Sequence, residues 1–390
     1  MRRYKMKGRK KSFAMPLVNL CGYLVYGWNR IGRRNLKKIF PKNILVLSLD
    51  EIGDTLLATP ALKYLRDAFP KAKIFVACRD RVCEVLDGNT NVDEILKMDM
   101  PRMGVPSLKS YKRDFYRVES VIRQIYKKTD DVDFDLGIDL KADIRTIKIL
   151  KDLKIPVRVS QAIRSGGFWL THVAPYLGET HEVIRKLSIV NFIKKIKDKS
   201  YLKQKMKIFV SDKDRKKAQV VLATNGLERG KQYVVMHAFA GWRPKEWPKD
   251  RFAKLADYIR EKYDLRTVLV GTEEEADGIL EIQDLAKSVP LNVAGQTTVK
   301  ETAAIIEGAK FFVGNDSGPM HIASAVQTPT VALFGQNIPK RYGPWQNKSI
   351  AIYHKIECSP CEQIRCVRKP TCMELITLDE VKKAVDKMLS

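Results

Sequence analysis

After its first apolar strand the chain has no Gly-x-Gly-x-x-Gly turn, and this argues against a dinucleotide-dependent oxidoreductase. It also lacks an unbroken apolar run of the roughly 20 residues needed to cross a bilayer. The nearest approach, Phe13 to Trp28, is interrupted by Pro16, Asn19, Gly22 and Gly27. No small-x-small site follows that run and its far flank is strongly basic, which argues against a cleaved signal peptide. The C-terminal half has no Asp-x-Asp pair at the end of a strand. Asp133-Phe134-Asp135 has the spacing but stands at a strand start, the wrong end for ligands in a parallel sheet. Acidic residues are missing altogether before Asp50.

Length and alternation set the architecture. With 390 residues the chain can build two domains, each with its own core. Apolar strands are expected at Ile44–Leu49, Ile74–Ala77, Phe134–Asp139, Val157–Ser160, Tyr233–His237, Thr267–Val270, Leu291–Val293, Phe311–Val313 and Thr330–Phe334, with helical stretches between them. This pattern predicts parallel sheets covered by helices. The charged stretch Lys194–Lys207, followed by a helix over Asp212–Asn225, reads as the passage between the domains.

Two strand ends carry chemistry. Gly314-Asn315-Asp316-Ser317-Gly318-Pro319-Met320-His321 follows an apolar strand and opens a helix. The Ser317 and Gly318 amides are then unpaired donors at the positive end of a helix dipole, a natural cradle for phosphate or diphosphate. His321, about one turn on, adds a proton donor. Read alone, the segment is equally an ordinary capped turn, with Asp316 or Ser317 as the cap. The second segment, Asp50-Glu51-Ile52-Gly53-Asp54, follows the strand Ile44–Leu49 and places the Asp54 carboxylate at the mouth of that strand. Asp54 is either a base or a helix cap.

Together these segments resemble glycosyltransferase family 9, the ADP-heptose:lipopolysaccharide heptosyltransferases. The early motif is Gly53-Asp54 followed by Thr59-Pro60-Ala61-Leu62; the late one is Asp316-Ser317-Gly318-x-x-His321. Between them lie the strand Val234-Val235-Met236-His237 and the helix start Lys245-Glu246-Trp247-Pro248, then Gly271-Thr272-Glu273-Glu274-Glu275. The resemblance runs from about Asn43 to the C-terminus. It implies the α/β GT-B architecture, two Rossmann-like domains facing across a cleft: 43–200 for the acceptor and 201–390 for the nucleotide-sugar donor. Residues 1–42 form a basic amphipathic extension.

The resemblance also implies an inverting transfer of heptose from ADP-heptose to a lipid-linked lipopolysaccharide inner-core acceptor, with Asp54 as general base. As the bond to ADP breaks, the leaving diphosphate gains charge. Lys245, the Ser317 and Gly318 amides and His321 are placed to meet it, with Arg243 as a second cation. Lys245 read alone is a solvated surface lysine. Glu275 either holds the ribose hydroxyls or is favourable acid in a first helical turn; Asp316 binds sugar hydroxyls or caps its helix. The scheme needs no metal and no cofactor. Alternatives are a related transferase using another nucleotide sugar or surface glycan, and a non-catalytic, membrane-docked nucleotide-binding protein. The stretch Met98–Tyr126, rich in Lys, Arg and Tyr, is the expected acceptor loop.

Thirteen basic residues precede Asp50, half of the formal net charge of +26. They flank the apolar run, with Tyr23, Tyr26 and Trp28 among its residues, and this suits a segment lying in the interface of a membrane. Anionic lipid and nucleic acid attract such charge alike, but an apolar centre and the lack of any nucleic-acid motif favour the membrane. The expected location is cytoplasmic, peripheral on the inner-membrane face. Cys21, Cys78 and Cys83 are scattered and read as apolar filler or free thiols. Cys358, Cys361, Cys366 and Cys372 are clustered as Cys-x2-Cys-x4-Cys-x5-Cys. They read as reduced structural thiols or, less in keeping with the usual spacing, as a zinc or iron–sulfur site.

Overall fold

Strands buried on both faces occur where a parallel sheet is covered by helices on each side. Asn43–Ser48 and Tyr233–His237 are of that kind, and each lies at the middle of its own sheet. The computed structural model describes residues 19–26, 35–100, 111–163, 165–194, 202–361 and 365–390. The chain divides into two compact units, 1–178 with 183–204 and 179–182 with 205–390.

The first unit holds β1 (Asn43–Ser48), β2 (Lys73–Arg79), β3 (Glu94–Met98), β4 (Leu136–Asp139), β5 (Val157–Ser160) and β6 (His172–Val173). All pair in parallel in the order β3-β2-β1-β4-β5-β6. The helix Thr59–Ala68 buries Ala61, Leu62 and Leu65, and Tyr111–Thr129 buries Val118, Val121 and Ile125. The Asp135 carboxylate accepts from the amides of Lys42 and Asn43, tying the starts of β1 and β4 together. That is structural work at the end of the sheet away from the chemistry.

The second unit repeats the plan with β7 (Tyr233–His237), β8 (Arg266–Leu269), β9 (Leu291–Asn292), β10 (Phe312–Asn315), β11 (Thr330–Phe334) and β12 (Ser349–Tyr353). These too are parallel, in the order β12-β11-β10-β7-β8-β9. Strand order reverses between β1 and β4 in one sheet and between β7 and β10 in the other. At such a switch point neighbouring loops diverge and leave a crevice at the carboxyl ends of the strands. The β7–β10 contact is tight: a Cβ on Gly314 would meet the His237 carbonyl oxygen at 2.9 Å and the Phe312 ring at 2.8 Å.

Cys78 and Cys83 depart from the sequence reading. They form a disulfide, Cα–Cα 5.6 Å, because the helix Asp80–Cys83 turns back on the end of β2. Cys372 is buried, and burial raises its thiol to about 11, with the nearby Cys361, Cys366 and Cys358 pushing the same way. Among the described residues no group of three or more His, Cys, Asp and Glu is arranged to hold a metal ion. No helix among them is long and apolar enough to cross a membrane. Arg2 to Lys11, Arg30, Arg33, Arg34 and residues 101–110 of the expected acceptor loop lie outside the described residues.

Candidate active site

At the β7–β10 switch point the loops after the two strands emerge side by side. Asn315, the last residue of β10, works as a clamp: its amide donates to the Ala238 carbonyl at 2.8 Å and its oxygen accepts the Trp247 amide at 3.1 Å. Trp247 is fully buried, packs edge-on to Phe252 and donates its indole N–H to the Ile376 carbonyl at 2.8 Å. The Lys-x-Trp-Pro turn is thereby pinned from both ends, and Lys245 is held two residues before the pin. Its ammonium donates to Asp316 at 2.7 Å, and the Asn337 amide donates to the same carboxylate oxygen at 2.5 Å. With side-chain exposures of 16% and 6%, Lys245 and Asp316 form a largely desolvated pair. Lys245 is therefore not a solvated surface lysine. Arg243 is exposed, and its charge acts on the half-buried Glu246.

Asp316 does not cap the helix Gly318–Ala325. The N-cap is Ser317, and no side chain caps the helix. The Ser317 hydroxyl instead lies 3.0 Å from Nδ1 of His237 and 3.2 Å from the Asn315 carbonyl. The other nitrogen of that imidazole, Nε2, stands 3.4 Å from Glu275. His237, buried at the end of β7, thus links the Ser317 hydroxyl to the Glu275 carboxylate. Burial alone would raise the Glu275 carboxyl, but His237 outweighs it and holds the group below its ordinary value. Glu275 also accepts the Thr272 amide at 2.8 Å, so it shapes its own turn as well as facing the site.

His321 is buried, and its Nδ1 has no hydrogen-bond partner. Burial lowers its pKa to about 4; Asp316 opposes that shift, and His181 and Lys245 add to it. The imidazole is neutral near pH 7, with its electrostatics tied to the Lys245–Asp316 pair.

In the first unit, Asp54 occupies the first turn of the helix Ile52–Leu56, is half-buried, and is not its N-cap, which is Glu51. Beside it lies a charged floor. The Lys141 ammonium donates to Asp50 and to the Leu49 carbonyl at 3.1 Å, joining the ends of β1 and β4. Burial would pull the Lys141 pKa down, but Asp50 outweighs burial and Asp54 adds to the rise. Asp50 is lowered despite its burial, by Lys141 first and then Lys186 and Arg185. Asp139, at the end of β4, is buried and pushed up to about 6, although Thr146, the Lys141 amide and Ser160 hydrogen-bond to it.

Sequence reading missed His237 as a site residue, and it missed Asn315, Asn337, Lys141 and Asp139. For Asn315 and Asn337 no periodicity marks them. Lys141 and Asp139 had a visible signal, since both follow or end an apolar strand at a sheet's carboxyl edge.

Two parallel six-stranded sheets, each with polar side chains gathered at its switch point, define the GT-B-like fold of nucleotide-sugar transferases. The sequence profile of glycosyltransferase family 9 (heptosyltransferase) matches residues 122–372, and the chain belongs to that family. It is similar to lipopolysaccharide heptosyltransferase 3 of Escherichia coli K12, 26% identical over 346 residues that cover 86% of this chain and 95% of the relative. A glycosyl transferase family 9 structure from Veillonella parvula matches 92% of this chain and 99% of its own, at 22% identity and TM-score 0.74. The E. coli heptosyltransferase WaaC with ADP-2-deoxy-2-fluoro heptose matches 88% of this chain and 99% of its own, at 16% identity and TM-score 0.64.

Proposed function

We propose that this enzyme transfers heptose from ADP-heptose, with inversion, to a lipopolysaccharide inner-core acceptor. The observation that carries the donor half is the desolvated Lys245–Asp316 pair beside a helix N-terminus that no side chain caps. A diphosphate at that N-terminus is met by the Ser317 and Gly318 amides and by Lys245, and the charge it gains as the C1–O bond breaks is stabilised by groups already in place. Glu275 takes the ribose hydroxyls and Asp316 the sugar. Donor chemistry comes to this chain by its similarity to WaaC, whose structure holds an ADP-heptose analogue.

On the acceptor side Asp54 is the general base: the acceptor oxygen attacks C1 as ADP leaves, and the hydroxyl proton passes to the Asp54 carboxylate. The Lys141 ammonium lies within electrostatic reach of the Asp54 carboxylate. A lipid-linked acceptor places the enzyme at the cytoplasmic face of the inner membrane, in keeping with the thirteen basic residues before Asp50.

Calorimetric titration with ADP, UDP and GDP, followed by turnover of ADP-heptose on core-truncated lipopolysaccharide, tests both halves. Selective ADP binding is expected, with Asp54→Asn keeping that affinity and losing 10²-fold or more in turnover, the order of a general-base contribution. A preference for UDP or GDP would discard the heptose donor. An Asp54→Asn enzyme at full rate would discard the base.

A further inference from the structure

Residues 19–26 are helical and pack on the first unit in an unusual way. Their inward side is Gly22, Tyr23 and Tyr26, seated on the turn Gly167–Trp169. Tyr23 meets the Phe168 ring edge-on at 6.0 Å, and Tyr26 stacks on it at 6.1 Å. Contact is close because both sides use glycine: a Cβ on Gly22 would fall 2.4 Å from Phe168, and one on Gly167 would fall 2.7 Å from the Tyr23 hydroxyl. The Ser165 hydroxyl donates to the Asn19 side-chain oxygen at 2.6 Å and adds a polar tie to the same contact.

The outward side is where solvent-facing polar residues belong, and it has none. Leu20, Leu24 and Val25 are 59%, 70% and 66% exposed, and Cys21 between them is exposed too. Positions i, i+1, i+4 and i+5 make one contiguous face of a helix. A soluble protein seldom leaves so apolar a face on an anchored helix unless something covers it. Basic residues accompany it: Lys151 lies over the Tyr26 ring at 5.8 Å and Lys148 over Trp169 at 5.9 Å, both also paired with Asp152, and in the sequence the helix is flanked by the thirteen basic residues before Asp50.

We infer that the Leu20–Leu24–Val25 face is the docking surface for an anionic lipid bilayer. The three side chains enter the headgroup–acyl boundary while the basic residues meet lipid phosphates. The inference rests on the peripheral-membrane reading above and deepens it. In place of a loose basic arm it puts the contact on a helix rigidly joined to the unit that holds Asp54, so the bilayer fixes that unit's attitude to its surface.

Co-flotation of the full chain with vesicles of phosphatidylglycerol and phosphatidylethanolamine, against phosphatidylcholine alone, at physiological salt, tests it. Wild type is expected to bind the anionic vesicles at least tenfold more tightly than the neutral ones. Leu20→Ser/Leu24→Ser/Val25→Ser is expected to lose at least tenfold of that binding while ADP affinity stays unchanged, which reports an intact fold. Leu24→Ser alone serves if the triple variant is poorly soluble. Gly22→Leu, which displaces the helix from Phe168 without removing an apolar residue, should also weaken binding. Wild-type binding to neither vesicle would remove the membrane reading itself. Variants that bind as wild type does would leave that reading standing and overturn the helix as its contact. Equal binding to both vesicles overturns the anionic preference. A concentration-dependent dimer that disappears in the triple variant would assign the face to a second copy of the chain instead.

Discussion

The buried His321, whose Nδ1 has no hydrogen-bond partner, should make the proposed ADP binding a proton-linked event. In the free protein burial holds its pKa near 4 against an ordinary 6.5. A diphosphate seated at the N-terminus of Gly318–Ala325 brings negative charge to the same small space. One full charge about 4 Å away at an effective dielectric of about 20 is worth about 4 kcal/mol, or roughly 3 pKa units. The bound-state pKa is thereby raised toward neutrality, so ADP binding at neutral pH is expected to take up a fraction of a proton at His321. The sign follows from linkage. The complex binds more protons than the free protein between pH 7 and pH 4, so the His321 contribution strengthens ADP binding as pH falls through that window. Titration in buffers of different ionisation enthalpy measures the uptake directly. The difference between wild type and His321→Gln cancels the nucleotide's own proton, and His237→Asn controls for the second imidazole.

Folding carries the opposite sign in the absence of ligand. The unfolded His321 takes its proton near pH 6.5, before the native one does, so stability is lost as pH falls from about 6.5 to about 4. The loss totals about 3 kcal/mol, and His321→Gln should remove it. Equal proton uptake by wild type and His321→Gln would refute the reasoning, because the imidazole would then not sense the diphosphate.

Lys245→Ala should weaken ADP at least about tenfold, roughly 1.4 kcal/mol, and destabilise the fold by leaving the Asp316 carboxylate buried without its cation. Adding Asp316→Asn should restore thermal stability but not ADP affinity, since a buried carboxylate without its partner is the costly state; a double variant no more stable than Lys245→Ala refutes that account. Trp247→Phe removes the indole donor from the Ile376 carbonyl, which keeps its Arg251 donor, and should cost about 1 kcal/mol in denaturant unfolding, the worth of one hydrogen bond with no acceptor left bare. It should also loosen Lys245 and raise the dissociation constant for ADP; unchanged ADP affinity would separate the pin from the lysine.

The central strands were legible because both of their faces are buried. Runs such as Val234-Val235-Met236 have no polar face, and nine strands could be read from apolar residues alone. The strands that sequence reading missed, Glu94–Met98, His172–Val173 and Ser349–Tyr353, are all at sheet edges. There one side of the ladder is open and burial is partial, so Glu94 and Lys97 or the exposed Ser349 mask the pattern. The disulfide was hidden for a related reason: Cys78 is the last residue but one of a strand and Cys83 sits in a four-residue helix, and only the reversal between them makes a pair of two scattered residues.

Site residues divide along the same physical line. Asp54, Lys245, Asp316, Ser317 and His321 stand in local motifs, where a strand end, a glycine and a helix start announce themselves within ten residues. His237, Asn315 and Asn337 act across the sheet. Their partners lie 80, 68 and 21 positions away, and their contacts exist only once β7, β10 and β11 lie side by side. Yet these three decide what the motif residues can do. Ser317 is drawn toward His237 instead of capping its own helix, and Asp316 is drawn toward Lys245 and Asn337. The helix N-terminus stays without a side-chain cap because both candidate caps are engaged elsewhere. The free helix N-terminus, on which the proposed diphosphate site rests, is thus made by long-range bonds that withdraw the local ones, and a reading confined to local motifs leaves cap and ligand roles undivided.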